Sequence, residues 1–485
     1  MTLLVILEIL YGILVVLVCF RIILDTRNAT KSLAYVLFTI FVPVIGMGFY
    51  FLFGINYRHR HMYKKKLFKD EKLALDLRTK LFEYSKETYL GRDKSLSQTR
   101  ELSYMLMHDL LSPLTSGNEV KILRNGEEKF PEVIKALKSA KEHIHIEYYI
   151  YNDDEIGNEI GDILLQKAKE GVRVRVIYDD FGSGRGCKRL MKRLSEGGVE
   201  AHPFLKIYFI AFANRINYRN HRKIILVDGK IGFVGGINIS DNYINQGDSP
   251  ENLYWRDTHL KIVGPGVFYL QFLFLCDWNF CAKQSLEPTN EFFPAPETQE
   301  SNENKVVQIA SSGPDSPTPT ILFSILQAIN LAQKEILITS PYFIPDESLL
   351  NALIIASHSG IKIKLLVPRK SDSKIVKLAS RSYYAQLLNA GVEIYLYKKG
   401  FVHAKTMVVD SFLAIVGTAN MDIRSFDLNF EVNAVVYDHE TAEELRNDFE
   451  NDLLDSELLE KERWLRRGKP IELLESTMRL ISPLL

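Results

Sequence analysis

The 485-residue chain has four cysteines, and none forms a CxxC or stands with histidines at metal-ligand spacing. That pattern excludes a structural zinc site, and Cys19, Cys187, Cys276 and Cys281 are read as reduced thiols rather than disulfides. Excess charge is missing too, because 60 Lys and Arg balance 60 Asp and Glu. A protein that wraps a polyanion carries a basic surplus, so nucleic acid is not expected as a partner and any cationic site must be local. "GSGRG" (182–186) lacks the Lys-Ser/Thr ending of a phosphate loop and reads as a surface turn. Charge is absent altogether from Leu33 to Gly54, and only Glu8 and Arg21 interrupt the apolar run from Leu3 to Leu24.

Each of those runs meets the ~20 apolar residues that cross a hydrocarbon core. The first has no basic segment before it and is long, so it reads as a retained span rather than a cleaved signal. "DTRNATKS" joins the two into a transmembrane helical hairpin over residues 1–57. Pro43, Gly46 and Gly48 interrupt the second run, which leaves a kinked or partly re-entrant helix open. Arg58, Arg60, Lys64, Lys65, Lys66 and Lys69 follow it, against Arg27 and Lys31 in the connection. Basic flanks stay cytoplasmic, so both termini and everything beyond residue 54 are expected in the cytosol, with the basic run against anionic headgroups. Residues 58–112 read as a charged helical linker near the membrane.

The remainder reads as two copies of one order, 113–283 and 306–485, joined by a Pro-, Asn- and Glu-rich linker at 284–305. Strand "HIHIEYYIY" (143–151), helix "EIGNEIGDILLQKAKEG" (155–171) and strand "VRVRVIYDD" (172–180) precede the strand "GVEAHPF". In the second copy "EILITSPYFI" (335–344), "ESLLNALIIASHSG" (347–360), "IKIKLLVP" (361–368) and "AGVEIYLY" (390–397) repeat the series. Strands alternating with helices predict an α/β fold with mixed, mainly parallel sheets flanked by helices.

Next in each copy comes the same pattern. "HRKIILVDGKIGFVGG" (221–236) and "HAKTMVVDSFLAIVGT" (403–418) hold His, Lys, Asp and Gly at relative positions 1, 3, 8 and 15. Residues two apart on a strand share a face, so His221 with Lys223 and His403 with Lys405 make two cationic faces. Asp228 and Asp410, an odd seven positions on, are expected in hairpin turns that fix backbone. Asn238 and Asn420 supply amide donors beside small residues that let a bound group approach. Brought together, two imidazoles can serve as nucleophile and general acid/base, and two lysines with two asparagines can hold the charge on a five-coordinate phosphorus. The lysines supply the charge that a metal would, so no metal or cofactor is expected.

The doubled His-x-Lys-x(4)-Asp-x(6)-Gly-[Gly/Ser/Thr]-x-Asn resembles the phospholipase D superfamily. "NLYWRDTHLKIVGPG" (252–266), "SPYFIPDESL" (340–349), "GTANMDIRSFDLNFEVN" (417–433) and the hydrophobic hairpin resemble its bacterial cardiolipin synthase branch, over essentially the whole chain. The resemblance implies duplicated phospholipase D-like domains in a bacterial cell membrane, acting on phosphatidylglycerol to give cardiolipin. It implies that His221 attacks phosphorus, that His403 moves the proton, and that Lys223, Lys405, Asn238 and Asn420 hold the phosphate. Glu431, 28 residues after His403, matches the acidic residue that follows the motif in this family; Asp257, 36 after His221, departs from that spacing. Either carboxylate can orient either imidazole at this level of reading. The alternative is a hydrolytic phospholipase D with water as acceptor.

Overall fold

The computed structural model describes residues 3–26, 29–51, 85–90, 96–110, 112–184, 186–205, 218–245, 253–294, 304–316, 318–480 and 482. The basic run at 58–69 and part of the 284–305 linker lie outside them.

A 15-stranded sheet runs through both halves. Its middle is an antiparallel pair, Thr115–Arg124 beside Lys305–Ser312. Outward through the first half come Thr258–Val263, Ile231–Gly235, Lys223–Val227, His143–Tyr148, Arg173–Asp179 and Glu200–Phe204. Outward through the second come Glu431–Tyr437, Leu413–Gly417, Thr406–Val409, Glu335–Thr339, Lys362–Pro368 and Glu393–Tyr397, with Ser456–Leu458 added at that edge. The halves thus repeat strand for strand from a common seam.

The sheet is mixed, but the expectation that it is mainly parallel needs correction. Parallel pairing is confined to the three strands at each wing that are linked through helices. All other neighbours in the sheet pair antiparallel. Strand–helix–strand order dictates direction only across its own crossover, whereas each motif strand turns straight back in a hairpin. At those turns Asp228 and Gly229 have φ of 52° and 64°, and Asp410 and Ser411 have 48° and 55°. A Cβ on Gly229 would meet the Phe292 carbonyl oxygen at 2.5 Å, so glycine is needed there for space as well as for backbone.

Alternation along the motif strand divides the core. Ile224 and Leu226 join a cluster shared by both halves, which also takes in Val408, Val416, Val432 and Leu275. Ile225 and Val227 point the other way, into a cluster with Ile160, Leu164 and Leu190. The shared cluster lies under two helices, Val267–Cys281 and His439–Leu454. Val267–Cys281 is mostly apolar with no polar stripe, as suits a helix covered on every side; 13 of its 15 residues are buried, and its Asp277 is paired with Arg222. The other helices begin on side-chain caps where the sequence offers them: Asp154, Asp346 and Ser373 accept from the N–H groups of Gly157, Leu349 and Val376.

Leu3–Asp25 is a 23-residue apolar helix with only Val18 and Ile22 buried. Among the described residues it alone is long and apolar enough to cross a membrane. The second expected span is not one helix. It divides into Ala29–Phe41 and Pro43–Phe49 at Val42, whose φ and ψ are −135° and 68°. Proline disfavours helical backbone in the residue before it, and the sequence places Pro43 mid-run. Gly46 accommodates the resulting close approach, since a Cβ there would lie 2.4 Å from the Phe38 carbonyl oxygen.

Candidate active site

Neither motif histidine lies within a strand. The flanking strands begin at Lys223 and Thr406, and the two histidines instead follow short parallel pairings that cross from one half to the other. Tyr254–Arg256 pairs with Gly400–Val402. Asn220 bridges Phe430 in the same parallel sense. The next residue on each side is then a functional one: Asp257 beside His403, and Glu431 beside His221. Backbone bonds fix the register, with the His403 N–H donating to Arg256 O at 2.7 Å and the His221 N–H to Phe430 O at 2.9 Å.

Each imidazole therefore takes its carboxylate from the opposite half. His403 Nδ1 is 2.7 Å from Asp257 Oδ2, and His221 Nδ1 is 3.0 Å from the Glu431 carboxylate. An anionic acceptor at Nδ1 keeps the proton there and leaves Nε2 as the working nitrogen. Thr418 Oγ1 donates to Glu431 Oε2, and Asn429 donates to Oε1 at 3.2 Å. The first copy has Gly236 where the second has Thr418. A Cβ on Gly236 would stand 2.1 Å from Asp257 Oδ1, so the shorter acid occupies that space itself.

A cavity of about 620 Å³ opens over both imidazoles. Asn238 and Asn420 line it. Asn238 Nδ2 donates to the Tyr243 hydroxyl at 2.7 Å, and that oxygen is 3.4 Å from His403 Nδ1. Asn420 Oδ1 is buried without a partner, so one end of that amide is left for a ligand. Lys223 and Lys405 are not among the lining residues. Lys223 Nζ bonds the His221 carbonyl at 2.8 Å, and Lys405 Nζ lies 3.0 Å from both ring nitrogens of His403. Asp228 and Asp410 are not brought to the cavity. The Asp228 carboxylate accepts from the N–H groups of Lys141, Glu142 and His143, and Asp410 accepts from those of Gln333, Lys334 and Glu335.

Residues absent from the sequence reading complete the walls. Tyr149 packs edge-on against His221 at 4.8 Å between ring centroids, and Trp255 and Tyr243 flank His403 at 5.6 and 5.8 Å. Tyr342 donates to Asp372 at 2.5 Å, and Arg219 and Arg424 also line the cavity. Only their place in runs already notable, such as "YWRD" and "ANMDIRSF", signals them in the sequence.

Burial draws both imidazoles down to about 4, although Glu431 pulls His221 and Asp257 pulls His403 the other way. Burial, and then the charge of Lys405, lower Lys223 to about 7; burial lowers Lys405 to about 8. Burial raises Glu431, but His221 and Lys223 outweigh it and hold the carboxyl below its ordinary range. An empty site near neutral pH thus holds neutral imidazoles and incompletely protonated lysines. An entering anion favours the charged ammoniums and raises their pKa, so binding takes up protons. A water-soluble, short-chain phosphodiester used as a probe should then bind most tightly below the free Lys223 value of about 7 and more weakly as pH rises through about 8. Calorimetry at pH 8 in two buffers of different ionisation enthalpy should register net proton uptake. An affinity constant from pH 7 to 9 would contradict this electrostatic description.

The chain matches the family model described as "Cardiolipin synthase, PLD-like domain" at residues 133–256 and again at 325–453. Residues 13–54 match "Phospholipase_D-nuclease N-terminal". It is 43% identical over 465 residues to Cardiolipin synthase 2 of Bacillus anthracis, covering 95% of this chain and 88% of that protein. It is 40% identical over 481 residues to Major cardiolipin synthase ClsA of Bacillus subtilis (strain 168), covering 98% and 97%. Phosphatidylserine synthase of Haemophilus influenzae Rd KW20 shares the fold, with a TM-score of 0.60 at 14% identity over 81% of this chain and 100% of that one.

Proposed function

Because this chain belongs to the cardiolipin synthase family of phospholipase D-like proteins, we propose that it joins two phosphatidylglycerol molecules into cardiolipin and releases glycerol. The observation that carries the chemistry is the pair of crossed His–carboxylate contacts beneath one cavity. His221 Nε2 attacks the phosphorus of one phosphatidylglycerol, and His403, in its imidazolium form beside Asp257 and the bound anion, gives its Nε2 proton to the departing glycerol. The new bond is P–N to His221, and the broken one is P–O to glycerol. His403 then takes the proton from the terminal hydroxyl of a second phosphatidylglycerol. That oxygen bonds to phosphorus, the P–N bond breaks, and cardiolipin leaves. Asn238 and Asn420, in the lining, face the equatorial oxygens, and Lys223 and Lys405, set behind the imidazoles, stabilise their charge from there. Asp228 and Asp410 act at a distance, by holding the hairpin that carries each motif.

Purified protein given labelled phosphatidylglycerol alone should yield cardiolipin and free glycerol in equal amounts. Phosphatidic acid as main product would replace this reading with hydrolysis. EDTA should leave the rate largely unchanged, because the lysines supply the positive charge; complete loss, restored by one divalent ion, would count against the metal-free steps.

The lipid substrates also account for the N-terminus. Leu3–Asp25 anchors the chain in the cell membrane, Ala29–Phe41 and Pro43–Phe49 return through it, and the basic residues at 58–69 keep the catalytic part in the cytosol. Protease added to intact spheroplasts should then spare the catalytic part until the membrane is permeabilised. Cleavage before permeabilisation would reverse the orientation.

A further inference from the structure

Two guanidiniums stand in the cavity wall, one from each half. Among the described lining residues Arg219 and Arg424 are the only lysines or arginines. Arg219 precedes His221 by two positions at the crossing between halves, where its carbonyl accepts from the Phe430 N–H at 2.9 Å. Its guanidinium is 3.4 Å from Asp179 and lies over the Phe181 ring, 5.5 Å from the centroid. Arg424 belongs to the short helix Ile423–Asp427, and its carbonyl accepts from the N–H groups of Leu428 and Asn429, close to Glu431. The two like charges oppose one another, and burial draws Arg424 below its usual range. Asp179 beside Arg219 and Asp422 near Arg424 offset that charge in the empty cavity, and an entering anion gains charge-assisted hydrogen bonds from the guanidiniums.

Transfer at one phosphorus does not require this second cationic pair. Cardiolipin, however, carries two phosphodiesters one glycerol apart. With the first over the imidazoles, the second needs a place of its own one glycerol away. The wall around Tyr342 presents Asp372 with no lysine or arginine among the described lining residues there, whereas the other acid in the lining, Asp422, stands near Arg424. We propose that Arg219 and Arg424 form the subsite for the phosphate of the acceptor lipid, the one that undergoes no reaction. The assignment rests on the transfer reading above. As the acceptor's terminal oxygen bonds to phosphorus, its proton passes to His403 and the P–N bond to His221 breaks, while the arginines hold the acceptor's own phosphodiester unchanged. Water and free glycerol lack that handle, so the subsite favours transfer to a second lipid over hydrolysis.

The test compares two reactions of the full-length protein in mixed micelles. One is cardiolipin synthesis from phosphatidylglycerol. The other is exchange of labelled free glycerol into phosphatidylglycerol, which passes through the same adduct without a second phosphate. Arg424→Gln should lower the ratio of synthesis to exchange about 10- to 100-fold, the range for losing a charged hydrogen bond. An unchanged ratio overturns the proposal, whatever the absolute rates. A second measurement needs no variant: with the unaltered protein, glycerol 3-phosphate should accept the phosphatidyl group at least about 10-fold faster than glycerol at equal concentration. Equal rates overturn the proposal. If the unaltered protein makes no cardiolipin, the transfer reading fails, and preference between the two soluble acceptors still decides whether the arginines bind a phosphate.

Discussion

A His221→Ala chain is expected to make no cardiolipin and to trap no phosphatidyl adduct, because His221 is the proposed nucleophile and His403, the other imidazole in the cavity, is assigned the proton. His403→Ala differs in kind. It removes the proton carrier and leaves the attacking nitrogen, so turnover should fall ~10²–10⁴-fold, the usual cost of a lost general acid/base. A donor whose leaving group needs no proton should still form the adduct on that variant. The difference follows from geometry: each imidazole has its own carboxylate, so removing one ring leaves the other oriented. Rapid quench with labelled lipid, followed by denaturing gel, reads the adduct directly. An adduct that persists in His221→Ala and vanishes in His403→Ala would exchange the two roles.

The second large effect is expected from the carboxylates. Glu431→Gln presents an amide N–H to His221 Nδ1 and stabilises the tautomer protonated at Nε2, which removes the nucleophile without moving the ring. Asp257→Asn does the same to His403. A wrong tautomer of this kind costs about 10⁴ in serine proteases, so each variant should lose ~10³–10⁴-fold in kcat. Packing alone predicts no further sign, but electrostatics does. Glu431 and Asp257 both raise the Lys223 pKa, so neutralising either should move the alkaline limb of the pH–rate profile to lower pH. Loss of activity with an unmoved profile would reduce the carboxylates to a structural part. Retention of activity within tenfold would sink the orienting role altogether.

Much of this molecule is legible in its sequence because periodicity and motif spacing are local. The doubled His-Lys-Asp-Gly order, the alternation of strands with helices and the hairpin turns at Asp228 and Asp410 all follow from neighbours along the chain. The exchange of carboxylates is not local. It depends on parallel registers between segments that never approach one another in sequence, Tyr254–Arg256 with Gly400–Val402 and Asn220 with Phe430. The departure of Asp257 from the Glu431 spacing is repaid in space by Gly236, which no spacing rule detects. The strand argument that put His221 and Lys223 on one face assumed a strand reaching back to residue 221, whereas the strand starts at Lys223. Arg219 and Arg424 escaped notice because each is unremarkable until the fold sets it in the same wall.

Considered as inheritance, the exchanged carboxylates bind two gene segments into one unit of selection. A change that disables Glu431 takes His221 with it, although the two are 210 positions apart. A change at Asp257 reaches His403 in the same way. Neither copy is free to drift toward a new task while the other keeps the old one. Duplication ordinarily leaves a spare; this chain has none.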